Sequence, residues 1–189
     1  MPTPLTSTRL GDGAIIAASR QEPARFAEIF DRHWPRVHRY CVSRAGAAGE
    51  DIAAETFRVA LDSRARFDGA RDDAVPWLLG IATNLLRHRR RSETRRTRAL
   101  LRLHIDDEAD HVERALDRVE AEALGARAAE ALGQLPPVYR DALLLHVWGE
   151  LSYEQVAEAT WVSVGTVRSR IHRARTYLRT ALTTEEIVR

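Results

Sequence analysis

The chain has 189 residues, of which 44% are hydrophobic and 30% are charged, with a net charge of +2. This composition excludes collagen-like, mucin-like and fully disordered proteins, and the length fits one large or two small domains. The sequence contains no apolar stretch of the roughly 18 residues that a membrane span requires, and its first residues do not resemble a signal peptide, so we expect a cytoplasmic protein.

The basic residues are all arginines, and they are unevenly distributed. Residues 87–102 carry eight arginines and one acid, residues 106–122 carry eight acids and two arginines, and residues 164–179 carry five arginines and no acid. Basic segments attract phosphate, although any one of them is equally explained as a solvated helix face.

Apolar residues recur at helical spacing and no convincing strand alternation is present, which predicts an all-α protein. In chain order, the pattern predicts a short helix with Asp12 as its N-cap, a helix over about 23–42 and a helix over about 50–63. Residues 63–75 are polar and predict an exposed loop. Pro76 then begins a helix that runs into the first arginine-rich segment.

The acidic segment 106–122 contains few large apolar residues, which predicts a flexible acidic linker between two small helical domains. A helix that starts at Pro136–Pro137 and ends near Trp148 follows the linker. We therefore expect four parts: a disordered segment 1–11, a first domain 12–102, a linker 103–122 and a second domain 123–185.

Residues 151–178 predict two short helices joined by a tight turn. Ser152 and Gln155 form a capping-box pattern at the start of the first helix, and Ser163 is placed to cap the second. At 100° per residue, the apolar residues of the second helix share one face with Val167. The opposite face is polar and basic, and carries Ser169, His172, Arg173 and Thr176, with Arg168 and Arg175 at its edges.

Such a pair of helices is typical of a helix-turn-helix, whose second helix enters the major groove of DNA. Arginine can bond two acceptors of a guanine edge at once. We expect Arg173 and His172 to reach base edges, and Arg175 or Arg168 to contact phosphate. The alternative is a solvent-facing arginine-rich helix in an ordinary bundle.

Four short segments carry a more specific signal. They read GEDIAAETF at residues 49–57, PWLLGIATNLL at 76–86, LSYEQVAE at 151–158 and VGTVRSRIHRAR at 164–175. In this order they resemble the core-polymerase-binding helix, the −10-reading helix and the −35-reading helix-turn-helix of extracytoplasmic-function sigma factors of the sigma-70 family. The resemblance covers about residues 15–182. One departure is Thr160-Trp161-Val162 in the turn, where this family commonly has a glycine.

The resemblance implies an alternative sigma factor with no catalytic chemistry, no cofactor, no metal and no small-molecule substrate. Its implied partners are core RNA polymerase, with its β and β′ subunits, promoter DNA and an anti-sigma factor. Core-polymerase binding is implied for Asp51, Glu55, Phe57 and Arg58, and we expect Phe57 to be exposed.

The resemblance also implies two DNA-binding sites. The loop 63–75 and the start of the next helix would trap a base flipped from the −10 element. The implied −10 residues are Arg66, Phe67, Asn84, Arg87, Arg90 and Arg91. The implied −35 residues are Thr166, Arg168, Ser169, His172, Arg173 and Arg175.

Several features of the sequence are compatible with more than one role. Trp77 is either a wedge for strand opening or, as its spacing favours, a core residue. The acidic linker either follows the path later taken by RNA or is a solubilising spacer. The chain as a whole is a sigma factor, a helix-turn-helix regulator that acts without core polymerase, or a helical interaction protein.

A metal site is not expected, because His33, His38 and Cys41 are spread around one helix. A hydrolase is not expected either, because no nucleophile elbow is present.

Overall fold

The computed structural model describes residues 10–101 and 127–183. Within these ranges the regular secondary structure is entirely helical, as the sequence predicts. The chain divides into two compact units, Met1–Leu86 and Arg87–Arg189. The predicted acidic linker lies outside the described residues, so its position and the predicted domain limits stay predictions. In the described part of the chain, no helix is long and apolar enough to cross a bilayer.

The first unit contains three helices and the beginning of a fourth. Helix α1 spans Asp12–Ser19, and α2 spans Ala27–Ala45 after a 3-10 turn at Pro23–Phe26. Helix α3 spans Gly49–Ser63, and α4 spans Val75–Leu101, so that α4 continues past the boundary between the units. The predicted helices over 23–42, 50–63 and from Pro76 are confirmed, with ends shifted by up to a few residues.

The core of the first unit is built from the apolar faces of these helices. Tyr40 is fully buried, and its hydroxyl lies 2.8 Å from the hydroxyl of Thr83 and accepts a hydrogen bond from Arg44. This pairing satisfies a polar group that would otherwise be costly to bury. The large apolar side chains that are at most 1% exposed here are Ile15, Ile16, Ile29, Val37, Leu78 and Leu79.

The chain reverses sharply between α2 and α3. Gly46 ends α2 with a φ of 56°, a conformation that glycine adopts without steric cost. The break that the sequence predicts between the helices over 23–42 and 50–63 is confirmed, and it allows α3 to fold back onto α2.

Asp12 does not cap α1 as predicted. Gly11 occupies the N-cap position and Asp12 is the first residue of the helix. Its carboxylate instead bonds groups that follow much later in the chain. The predicted helix is therefore correct, but the predicted role of its first polar residue is wrong.

In the second unit, residues 127–134 form helix α5 within the described part of the chain. Three further helices follow: α6 (Pro137–Val147), α7 (Tyr153–Thr160) and α8 (Val164–Thr183). Helices α6, α7 and α8 pack against one another. Arg140 is only 7% exposed, and its guanidinium donates to the carbonyls of Leu132 and Gly133 at 3.3 and 3.1 Å. These carbonyls have no partner within their own helix, so Arg140 caps the end of α5.

Candidate nucleic-acid interface

Helices α7 and α8 form the predicted helix-turn-helix with both predicted caps. The Ser152 hydroxyl oxygen accepts from the Gln155 amide at 3.2 Å, and the Gln155 side chain accepts from the Ser152 amide at 2.9 Å. Ser163 accepts from the Thr166 amide at 3.2 Å at the start of α8. The capping box satisfies two backbone N–H groups at the start of α7 that have no acceptor within the helix.

The turn between the two helices places a bulky residue in a left-handed conformation. Trp161 has φ 56° and ψ 43°, and its amide donates to the backbone carbonyl of Glu158 at 3.3 Å. The side chain is 85% exposed. The tight turn thus forms without glycine, at the energetic cost of a Cβ in the left-handed region.

The exposed face of α8 has the predicted orientation. Val167, Ile171 and Ala174 are at most 1% exposed and pack inward. Thr166 is half-buried, and its hydroxyl lies 2.9 Å from that of Ser163. The predicted −35 residues that α8 presents to solvent are Arg168, Ser169, His172, Arg173 and Arg175.

One of these arginines is held by the neighbouring helix. Arg173 donates to the hydroxyl of Tyr139 in α6 at 3.0 Å, and its guanidinium lies 5.9 Å from the centre of the Tyr139 ring. Tyr139 could not be predicted from the sequence, because no local pattern links it to Arg173, which lies 34 positions later. Tyr139 restricts Arg173 to one side of the exposed face.

The loop between α3 and α4 is more ordered and less exposed than predicted. It begins with a 3-10 turn at Arg64–Arg66, and the Asp68 carboxylate accepts from the Ala70 amide at 3.1 Å. Phe67 is 4% exposed and its ring centre lies 4.9 Å from that of Trp77. Phe67 therefore anchors the loop to α4, and its buried ring does not support its predicted role as a −10 contact.

The remaining predicted −10 residues differ in what they contact. Arg66, Asn84 and Arg91 are exposed. In the second unit, Arg87 donates to the buried carboxylate of Asp141 at 2.8 and 3.1 Å, and Arg90 donates to the carbonyl of Gly133 at 2.9 Å. The arginine-rich segment is therefore not a uniformly solvated face.

The outer face of α3 carries the predicted charged residues. Asp51 is exposed, and Arg58 bonds Glu55 at 2.5 and 2.7 Å and Asp62 at 2.9 Å. The hydrogen bonds from Arg58 lower the pKa of the Glu55 carboxyl. Arg58 thus lies one turn from an acidic side chain on either side, Glu55 before it and Asp62 after it.

Phe57 does not belong to this exposed face. It is 4% exposed, and its ring centre lies 4.9 Å from that of Phe30 and 5.9 Å from that of Trp34 in α2. The expectation that Phe57 is exposed is wrong, because two aromatic side chains of α2 cover it. Phe30, at 38% exposure, is the aromatic residue that reaches solvent at this position.

The histidines and the cysteine of α2 are not arranged around an ion. His33 bonds Asp12 at 2.6 Å, His38 packs beside Trp34, and Cys41 is buried. Among the described residues, no group of three or more histidine, cysteine or acidic side chains is placed to hold a metal.

Comparison with known proteins identifies both units. The sigma-70 region 2 profile matches residues 29–96, and the sigma-70 region 4 profile matches residues 126–178. The chain is 33% identical over 164 residues to RNA polymerase sigma factor CarQ of Myxococcus xanthus, a match that covers 83% of this chain and 88% of that protein. It is 33% identical over 168 residues to ECF RNA polymerase sigma factor SigW of Bacillus subtilis, with the same two coverages.

Two solved structures share the fold. CnrH, determined in complex with the cytosolic domain of CnrY, has a TM-score of 0.62 at 23% identity and covers 92% of this chain and 97% of its own. The sigma factor RpoE of Bartonella quintana, determined in complex with the anti-sigma factor NepR, has a TM-score of 0.59 at 23% identity, with coverages of 84% and 96%. Both likenesses support an all-helical architecture with two domains.

Proposed function

The chain belongs to the extracytoplasmic-function RNA polymerase sigma factors of the sigma-70 family. We propose that it acts as an alternative sigma factor, and that the surfaces described above bind core polymerase and the two promoter elements. The observation that carries this proposal is the order of the two profile matches, region 2 at residues 29–96 and region 4 at residues 126–178. The second unit adds a capped helix-turn-helix with an exposed basic face.

Core RNA polymerase is bound through the outer face of α3. Asp51, Glu55 and Arg58 offer both charges to a partner, and Phe57 supports them from beneath through its packing on α2. Since the Arg58 ion pairs are exposed, they can exchange for partner charges at little cost. Phe57 therefore contributes to core binding through the shape of α3 rather than by direct contact.

The −10 element is read by the loop between α3 and α4 and by the adjoining turns of α4. Arg66 and Asn84 are exposed and can contact a displaced base or its backbone, and Arg91 can hold a neighbouring phosphate. Arg87 and Arg90 already bond protein acceptors, so we place them after Arg91 in importance. Phe67 keeps the loop in position.

The −35 element is read by α8 in the major groove. His172 and Arg173 project from the face opposite the buried Val167, where they can reach base edges, and Arg168 and Arg175 flank that face near the phosphates. Ser169 and Thr166, near the helix N-terminus, complete the set. Backbone N–H groups at this end of a helix also favour phosphate.

The chain supplies no catalysis of its own, because core polymerase forms the phosphodiester bonds. We place its action in the cytoplasm, where polymerase and promoter DNA meet. An anti-sigma factor is a further partner, as it is for RpoE of Bartonella quintana.

The decisive experiment is run-off transcription from a genomic library with purified core enzyme, with and without this protein. We expect new transcripts whose start sites share −10 and −35 elements. Binding to duplex DNA without any binding to core enzyme would favour a helix-turn-helix regulator that acts without polymerase. Binding to neither would favour a helical interaction protein.

A further inference from the structure

Helix α1 lies against the loop between α3 and α4, the segment for which we propose capture of the −10 base. Two successive contacts join the beginning of α1 to the end of this loop. The amide of Asp12 donates to the Asp72 carbonyl at 3.2 Å, and the amide of Ala74 donates to the Asp12 carboxylate at 2.8 Å. The last residues of the loop are thus fixed by a helix that precedes them by about 60 positions.

The Asp12 carboxylate is itself held from α2. Its two oxygens accept from Arg32 at 2.5 Å and lie 2.6 Å from Nε2 of His33. Asp12 is 2% exposed and His33 is 8% exposed. Three partners, two on α2 and one in the loop, restrict the position of this buried carboxylate, which thereby links α2 to the Ala74 amide.

Backbone packing adds a steric constraint. A Cβ on Gly13 would lie 2.5 Å from the carbonyl oxygen of Gly69 and 2.6 Å from that of Arg71. Both obstacles are backbone atoms of the loop, which cannot rotate away as a side chain can. Any side chain at position 13 therefore displaces the loop.

The far end of α1 holds the beginning of the loop. Arg20 donates to the Phe67 carbonyl at 3.0 Å, and Arg64 donates to the Ser19 carbonyl at 3.1 Å. The loop is consequently fixed at both of its ends by one short helix, while Asp68 and Gly69 at its tip stay exposed.

We propose that α1 is a brace that sets the −10 specificity of this protein, with Asp12 and Gly13 as positioning residues for the base-capturing loop. This proposal rests on the proposed function of the loop. Neither residue contacts DNA, because both are buried. Their contribution is to place the loop within the small tolerance that recognition of a flipped base requires.

The test compares holoenzymes that carry Gly13→Ala, Asp12→Ala or Arg20→Ala with one that carries Ala14→Ser. Ala14 is exposed on the same helix and serves as the matched control. Arg20→Ala removes one hydrogen bond from an exposed side chain, so this variant remains informative if Asp12→Ala fails to fold. Each holoenzyme is measured for binding to promoter DNA with a randomised −10 element, for its −35 preference and for its affinity for core enzyme.

We expect Gly13→Ala and Asp12→Ala to reduce discrimination at the −10 element about tenfold or more, since a displacement of about 1 Å costs on the order of a hundredfold where geometry is critical. The −35 preference and the core affinity should stay at the wild-type values, as they should throughout for Ala14→Ser. Faster hydrogen exchange at the Ala74 amide would report the released loop directly.

Unchanged −10 preferences in folded Gly13→Ala and Arg20→Ala holoenzymes would overturn the proposal. An equal loss of −10 preference, −35 preference and core affinity would also overturn it, because α1 would then act only on general stability. If the wild-type protein itself does not direct core enzyme to promoters, it is the proposed function that fails.

Discussion

Tyr139 of α6 accepts a hydrogen bond from Arg173 of α8 at 3.0 Å, so an exposed side chain of α8 is oriented by the helix that packs against it. The guanidinium also lies 5.9 Å from the centre of the Tyr139 ring. Both groups are at the surface, so the arrangement limits the directions of Arg173 without burying it. Arg173 thereby differs from Arg175, which is exposed and for which we propose a phosphate contact.

Replacing Arg173 by alanine should relax the base preference at one or two −35 positions, since a bidentate arginine contact discriminates against the wrong base by about 1–3 kcal/mol. Arg175→Ala should instead weaken all promoters about equally and reduce the salt dependence. Tyr139→Phe keeps the ring and removes the hydrogen bond, so its effect should resemble that of Arg173→Ala but be smaller. These outcomes are separated by measuring the binding of each holoenzyme to promoter DNA with a randomised −35 element at two salt concentrations. Unchanged base preferences in the Arg173→Ala holoenzyme would show that α8 does not lie in the major groove in the proposed orientation.

Asp51 and Phe57 should give opposite phenotypes although both lie on α3. Asp51→Arg changes an exposed charge and should weaken binding to core enzyme by about tenfold or more without loss of stability. Phe57→Ala empties a buried aromatic site and should lower the free energy of unfolding by about 3–5 kcal/mol. Denaturant unfolding and affinity for core enzyme are measured for both variants. A fully stable Phe57→Ala protein with impaired binding would mean that Phe57 contacts the polymerase directly.

Trp161→Gly should stabilise the protein by about 1 kcal/mol, because glycine adopts the left-handed conformation without the steric cost of a Cβ. Little packing is lost, since the Trp161 side chain is 85% exposed. Trp161→Ala is the matched control, because it removes the ring but keeps the Cβ, and it should bring no gain. Equal stability of the two variants in denaturant unfolding would contradict this explanation.

The contribution of Asp12 to stability should disappear in acid. Burial raises the pKa of its carboxyl, but the hydrogen bonds from His33, the Ala74 amide and Arg32, with the electrostatic attraction of His33, outweigh burial and leave the pKa below the ordinary value of 3.8. A carboxyl with a lowered pKa in the folded state stabilises the fold above its unfolded pKa, and this contribution is lost as the pH falls through the folded pKa. The difference in unfolding free energy between wild type and Asp12→Asn should therefore be largest near neutral pH and shrink below about pH 4. A constant difference down to about pH 2 would argue against an ionised Asp12 in the fold.

Cys41 should resist thiol reagents in the folded protein. Burial raises the pKa of its thiol to about 12 against the smaller opposing effect of Arg44, and the side chain has no exposed surface. Since only the thiolate reacts, labelling by iodoacetamide at about pH 8 should require unfolding. Mass spectrometry with and without denaturant gives the two rates, and rapid labelling of the native protein would show that the core of the first unit opens readily.

The sequence by itself determined the helices, the N-caps of α7 and α8, and the polar face of α8. These features depend on residues that are three or four positions apart, and the geometry of a single helix relates such residues to one another. Ser152 with Gln155, and Val167 with Ile171, could therefore be placed correctly without knowledge of any other part of the chain.

Only the tertiary structure decided which faces are covered and which distant groups meet. Phe57 neighbours the charged residues of α3 in the sequence, yet Phe30 and Trp34 of α2 cover it. Asp12 is of a residue type that often caps helices, but its carboxylate accepts a hydrogen bond from the amide of Ala74, at the end of the loop between α3 and α4. Helical periodicity gives the direction of a side chain around its own axis, whereas burial and pairing depend on the neighbouring element that packs there.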